Sequence, residues 1–185
     1  ILDDPALAGE GMRAVVVVKG GRIAGERYGR GFSQQTPLLG WSMTKTVNAA
    51  IFGTLVKDGK LEIDSPRLFE PWNADERASI RASDLMAMSS GLEFNEDYGD
   101  VTDVTRMLYL ERDMAGFAEA KPLGREVGQV FSYSSGTAMI LSKLWQNALG
   151  DPQAAAGWPR KALFDPLGMQ SAVLEADESG TFVGS

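Results

Sequence analysis

The sequence predicts an α/β layered fold that is incomplete, with one β-hairpin preceding a mostly helical remainder. Three observations carry this expectation. Ala14 to Val18 is an unbroken apolar run, mostly β-branched, followed by the turn residues Lys19-Gly20-Gly21. Met43, Val47, Ala50, Ile51, Leu55 and Val56 then recur at helical spacing, with Ala49, Phe52 and Gly53 between them. No later run supplies the strands that two strands need in order to stand as a sheet. The expected organisation is a single domain over 1–185, with the hairpin and a loop in 1–40 and the helical region in 41–185.

Each element has a local reason. Lys19-Gly20-Gly21 turns the chain, and Arg22 to Tyr28 alternates loosely as the return strand. A strand apolar on successive positions is expected to be covered on both faces. Gly29 to Leu39 is a loop. The long helix that follows is apolar nearly all round, the pattern of a buried helix. It is expected to end at Asp58-Gly59, where glycine suits the C-cap. Leu61 to Pro66 is an extended turn and Pro71 to Ala78 a polar loop. Ser83-Asp84 caps a short helix, Leu85 to Ser89, and Phe94 to Asp100 is an acidic loop. Asp100 and Asp103 open a helix from Val101 to about Glu111, with Val104, Met107 and Leu108 on one side. Asp113 caps another, to Ala120. After a short extended piece at Val130 to Tyr133, Ser134 or Ser135 caps a helix through Thr137 to Leu149, closed by Gly150. Pro159 suits the first turn of a helix through Phe164. From Glu175 onward no strong element is expected.

Composition excludes several chemistries. The 185 residues carry a formal net charge of −7, which argues against a nucleic-acid partner. No apolar run reaches membrane-spanning length. There is no histidine and no cysteine, so a Ser-His-Asp triad, thiol catalysis, disulfides, and histidine or thiolate metal sites are all excluded within this chain. A hydrolase built from these residues must take its base from Lys, Tyr, Asp or Glu. The acids Glu93, Glu96, Asp97, Asp100 and Asp103 do not match a calcium loop and read as a solvated acidic loop.

The candidate chemistry lies in Trp41-Ser42-Met43-Thr44-Lys45. Residues three apart share a helix face, so Ser42 and Lys45 point the same way. A serine hydroxyl becomes a useful nucleophile when a neighbouring base takes its proton. A lysine serves as that base where burial or nearby cations favour the neutral amine. Ser42 at a helix start also offers a backbone N–H to a developing oxyanion. The alternative is a serine N-cap followed by a solvated lysine.

With Ser42-x-x-Lys45 on this helix and Tyr133-Ser134-Ser135 opening another, the chain resembles the serine β-lactamase and penicillin-binding-protein family. The branch it resembles holds class C β-lactamases, DD-peptidases, family VIII esterases and nylon-oligomer hydrolases. Leu55 to Leu61, Asp84 to Leu92, Phe131 to Ser135 and Phe164 to Met169 agree in order with the family pattern. The resemblance implies Ser42 as the acylated nucleophile, Lys45 as the holder or acceptor of its proton, and Tyr133 as a phenolate-like base that shuttles a proton to the leaving group. The other reading of Tyr133 is an aromatic ring packed at a helix entrance. Ser135 stands where the family's Y-x-N motif has Asn, a substrate-binding position. A hydroxyl there favours ester or small-amide hydrolysis over strict lactam recognition. Tyr98 lies in a region similar to the loop whose tyrosine holds the substrate amide nitrogen in nylon-oligomer hydrolases. It also reads as an ordinary loop residue. Trp41 and Trp72 are expected in the core, with a cleft wall as the alternative.

The family's late K-T-G or H-x-G triplet is absent. The expectation is therefore an N-terminal portion of the fold, lacking the C-terminal sheet strands. The expected activity is acyl-enzyme hydrolysis of a small molecule bearing an ester, amide or lactam carbonyl, without metal or organic cofactor. The rival expectations are a non-turnover binding or sensor module and an inactive fragment. Family resemblance points to a periplasmic or secreted location.

Overall fold

A computed structural model describes residues 4–184. It comprises two compact units, one reaching to Leu39 and the other starting at Gly40. In the first, a short helix α1 (Pro5–Ala8) precedes β1 (Ala14–Lys19) and β2 (Arg22–Tyr28). The strands pair antiparallel from Ala14 with Tyr28 to Lys19 with Arg22, and the register shifts between Val17 and Val18. The two-residue connection is possible because Gly20 and Gly21 both take positive φ, at 56° and 73°; primed hairpin turns demand that. The expected cover on both faces is not met among the described residues. Val16, Val17 and Val18 remain exposed, because the only strand paired with them is β2.

The second unit is helical. A 3₁₀ turn (Trp41–Met43) leads directly into α2 (Thr44–Lys57). Further on come two 3₁₀ turns (Glu70–Ala74 and Glu76–Ser79), α3 (Ala82–Met86), α4 (Asp103–Leu110), α5 (Met114–Glu119), α6 (Ser135–Leu149), α7 (Pro152–Pro159) and a π-type turn (Arg160–Phe164). Among the described residues no helix is long and apolar enough to cross a membrane.

The caps explain the boundaries. Asp113 Oδ1 accepts from Gly116 N at 2.7 Å and starts α5. Ser134 Oγ accepts from Thr137 N at 3.2 Å and starts α6. Three boundaries depart from the sequence expectation. Helix α4 begins at Asp103, with Thr102 as its N-cap, rather than at Val101. Helix α3 begins at Ala82 rather than Leu85, because Asp84 acts inside the first turn. Its Oδ2 accepts from Arg81 N at 3.0 Å and from the Arg81 guanidinium at 2.9 Å. Pro159 ends a helix instead of opening one. The opening signal is Asp151-Pro152, where Asp151 Oδ2 accepts from Ala154 N at 2.7 Å.

The core of this unit gathers Ile51, Phe52 and Leu55 of α2 with Met139, Ile140, Leu144 and Trp145 of α6, and with Trp72, Ile80, Leu85 and Met107. Trp72 is fully buried and Trp41 is more than half exposed, so the core expectation holds for the first alone. Helix α2 is not buried all round. Met43, Thr46, Ala50, Gly53 and Lys57 form one exposed face.

Residues 175–183 are more ordered than their polarity suggests. Ala176 bridges Phe182, and Asp177 Oδ1 accepts from Ser179 N and Thr181 N at 3.0 Å each. Phe182 then stacks on Trp145 with ring centroids 5.7 Å apart.

Candidate active site

Helices α2 and α6 cross at the site, and one buried side chain fixes their spacing. Asn48 lies one turn beyond Lys45. Its Nδ2 donates to Ala138 O at 2.8 Å. Its Oδ1 accepts from Trp145 Nε1 at 2.8 Å and from Ser142 Oγ at 3.2 Å. A buried amide with these bonds made is costly to disturb. Lys45 therefore projects toward the first turn of α6.

Lys45 Nζ lies 3.0 Å from Ser42 Oγ and 3.2 Å from Ser135 Oγ. It also sits over the face of the Tyr133 ring, 4.9 Å from the centroid. Ser42 is exposed. It occupies the second position of the 3₁₀ turn, where an N–H has no partner within the helix. The residue before it, Trp41, takes φ 44°, a left-handed conformation unfavourable to a side chain with a Cβ.

The structure brings Ser42, Lys45 and Ser135 into hydrogen-bonding reach, and Tyr133 joins them by its ring. Among the described residues, no hydrogen bond links the Tyr133 hydroxyl to Ser42 or Lys45. Ser135 is fully buried. Its N donates to Glu96 Oε2 at 2.8 Å and its Oγ donates to Glu96 Oε1. The buried Ser135 hydroxyl thus lies between Lys45 and Glu96.

Tyr98 is half exposed beside these groups. Partial burial pushes its phenol above the ordinary tyrosine range. Glu96, Tyr133 and Tyr109 add to that shift. Its hydroxyl therefore keeps its proton at neutral pH and remains a donor.

Glu96 is the site residue that the sequence reading passed over as part of a solvated acidic loop. Nothing in its spacing places it beside a residue 39 positions away. Its loop is closed by Asn95 N donating to Asp103 Oδ2 at 2.9 Å, and Asp103 pairs with Lys121 at 2.6 Å. Among the described residues, no group of three or more His, Cys, Asp or Glu is arranged to hold a metal ion. A groove of about 800 Å³ between Arg81, Asp84 and Arg125 includes none of Ser42, Lys45, Tyr98, Tyr133 and Ser135.

The β-lactamase family model matches residues 6–183, and the chain belongs to that family. No curated protein matches it in sequence. Among solved structures it is similar to a protein described as a 6-aminohexanoate-dimer hydrolase from Bacillus anthracis, with a TM-score of 0.62 and 19% identity over 81% of this chain and 43% of that one. It is similar also to SurE, with a TM-score of 0.61 and 21% identity over 89% of this chain and 36% of that one. A class C β-lactamase from Rhodobacter sphaeroides gives a TM-score of 0.57 and 18% identity over 91% of this chain and 51% of that one. At these identities the likeness is one of fold. The chain spans 36–51% of the length of these structures.

Proposed function

We propose that this chain carries the nucleophile of a serine hydrolase that works through an acyl-enzyme. The observation that supports it most directly is the 3.0 Å separation of Lys45 Nζ and Ser42 Oγ at a helix entrance. Ser42 Oγ attacks the carbonyl carbon of an ester, amide or lactam, and its proton passes to the neutral amine of Lys45. The carbonyl oxygen takes the negative charge, and the Ser42 N–H is a donor suited to it. The carbonyl re-forms as the bond to the leaving group breaks, and Lys45, with Tyr133 as the relay, returns the proton to that group. Water then adds to the Ser42 ester and releases the acid. Tyr98, as a protonated phenol at the rim, is a donor or acceptor for the substrate. Ser135 acts on Lys45 and not on the substrate.

A fluorophosphonate probe and a fluorescent penicillin test this reading. Covalent labelling that disappears in Ser42→Ala, followed by release of the acyl label, supports a hydrolase. Labelling without release supports an acyl-sensor. Labelling that persists in Ser42→Ala removes the assignment.

A further inference from the structure

We propose that Glu96 is a positioning residue for Lys45 and acts through the hydroxyl of Ser135. Its catalytic consequence rests on the serine-hydrolase reading above. Its geometry rests on the hydrogen bonds alone.

A serine hydroxyl has one proton to give and two lone pairs to offer. An ionised carboxylate only accepts. Glu96 receives both the N–H and the O–H of Ser135, so the one hydroxyl proton is committed to it. Ser135 can then meet Lys45 only by accepting, and Lys45 Nζ lies 3.2 Å away. A neutral amine that spends an N–H on Ser135 turns its lone pair elsewhere, and Ser42 Oγ is 3.0 Å off. Without Glu96 the Ser135 hydroxyl is free to rotate. It would then donate into the lysine lone pair, in competition with the proton of Ser42.

Two features place Glu96 for this purpose. Ser135 is the first residue of α6, where an anion is also favoured by the helix dipole. Phe94, two residues earlier, packs against Gly136 so closely that a Cβ there would lie 2.7 Å from its ring. The ionisable groups facing this cluster are Lys45, Tyr98 and Tyr133. The competing role is a plain helix-terminal anion that stabilises α6 and leaves Lys45 alone.

The test compares Glu96→Ala, Ser135→Ala, the double variant, and Asp100→Asn as a loop-charge control. Acylation of Ser42 by the fluorophosphonate probe should slow about 10–100-fold in Glu96→Ala. The double variant should match Ser135→Ala, since without the hydroxyl Glu96 has nothing to direct. Asp100→Asn should label as the parent does. Additive losses in the double variant, or parent-like labelling in Glu96→Ala despite a lowered melting temperature, would overturn the inference. A second readout needs no acylation. In NMR the Ser135 amide proton should follow the titration of a carboxylate, and Glu96→Ala should abolish that. An amide that does not follow it also overturns the inference. A parent protein that never labels while its Ser135 amide still follows Glu96 sinks the hydrolase reading and leaves the positioning contact standing.

Discussion

Asn48 accepts a hydrogen bond from the Trp145 indole at 2.8 Å, inside the packing of α2 against α6. That bond, with those to Ala138 and Ser142, sets the distance between the helix bearing Ser42 and Lys45 and the helix bearing Ser135. Asn48→Ala would leave the Trp145 indole N–H and the Ser142 hydroxyl buried without this acceptor. Each such group costs about 1–3 kcal/mol, so the expected loss is about 3 kcal/mol in urea unfolding. Labelling of Ser42 should slow even in the fraction that stays folded. A loss within about 0.5 kcal/mol, the range of an ordinary surface change, would show that the amide is not what fixes the helices.

Tyr133 offers a ring and a hydroxyl, and the two are separable. Tyr133→Phe keeps the ring over Lys45. It removes the proposed proton relay. The expected outcome is unchanged thermal stability with acylation about 10²-fold slower. Tyr133→Leu should lose both. Equal acylation by the Phe variant and the parent would confine Tyr133 to packing, the alternative that its sequence context left open.

How much of this was legible depended on distance along the chain. Helices α2 and α6 were, because their apolar periods are long and Gly59 and Ser134 mark ends. The pairing of Ser42 with Lys45 was, because it needs only one helical turn. The segment around Trp72 was not. Its structure is a pair of 3₁₀ turns, anchored far along the chain where Trp72 Nε1 donates to Glu119 O at 2.9 Å. Glu96 and Asn48 were not legible as partners of α6 for the same reason. Residues 39 and 90–97 positions apart meet there, and no periodicity encodes that. The ring-first approach of Tyr133 to Lys45 depends on rotamers that sequence does not specify.

Gly136 tests how the acidic loop is seated. Gly136→Ala would place a methyl 2.7 Å from the Phe94 ring and 3.1 Å from the Ala118 Cβ. Helix propensity alone would favour alanine by up to about 1 kcal/mol. Crowding should reverse the sign, since overpacking costs about 1–3 kcal/mol. Displacement of Phe94 should also move Glu96 off Ser135, so the Ser135 amide should lose its carboxylate response. A stabilised variant with that response intact would show that Phe94 yields freely.

Asp103 predicts an acid limb in the stability of this unit. Partial burial works against its charge. The Lys121 ammonium and the Asn95 N–H overcome that and hold its carboxyl below the ordinary range. Asp84 is held low in the same way, burial opposing and Arg81 prevailing. A carboxylate whose folded value is depressed contributes stability that is present above its unfolded value, about 3.9, and is lost as pH falls through the folded value. The contribution should therefore be complete above about pH 5 and fade below about pH 4. Asp103→Asn should lower the urea midpoint at pH 7, and its gap from the parent should narrow as pH falls below about 4. Because Asp103 also ties down Asn95, the variant should expose the loop of Glu96 and Tyr98 to proteolysis at neutral pH. A gap that stays constant from pH 7 to pH 3 would mean that Asp103 acts by its shape and not by its charge.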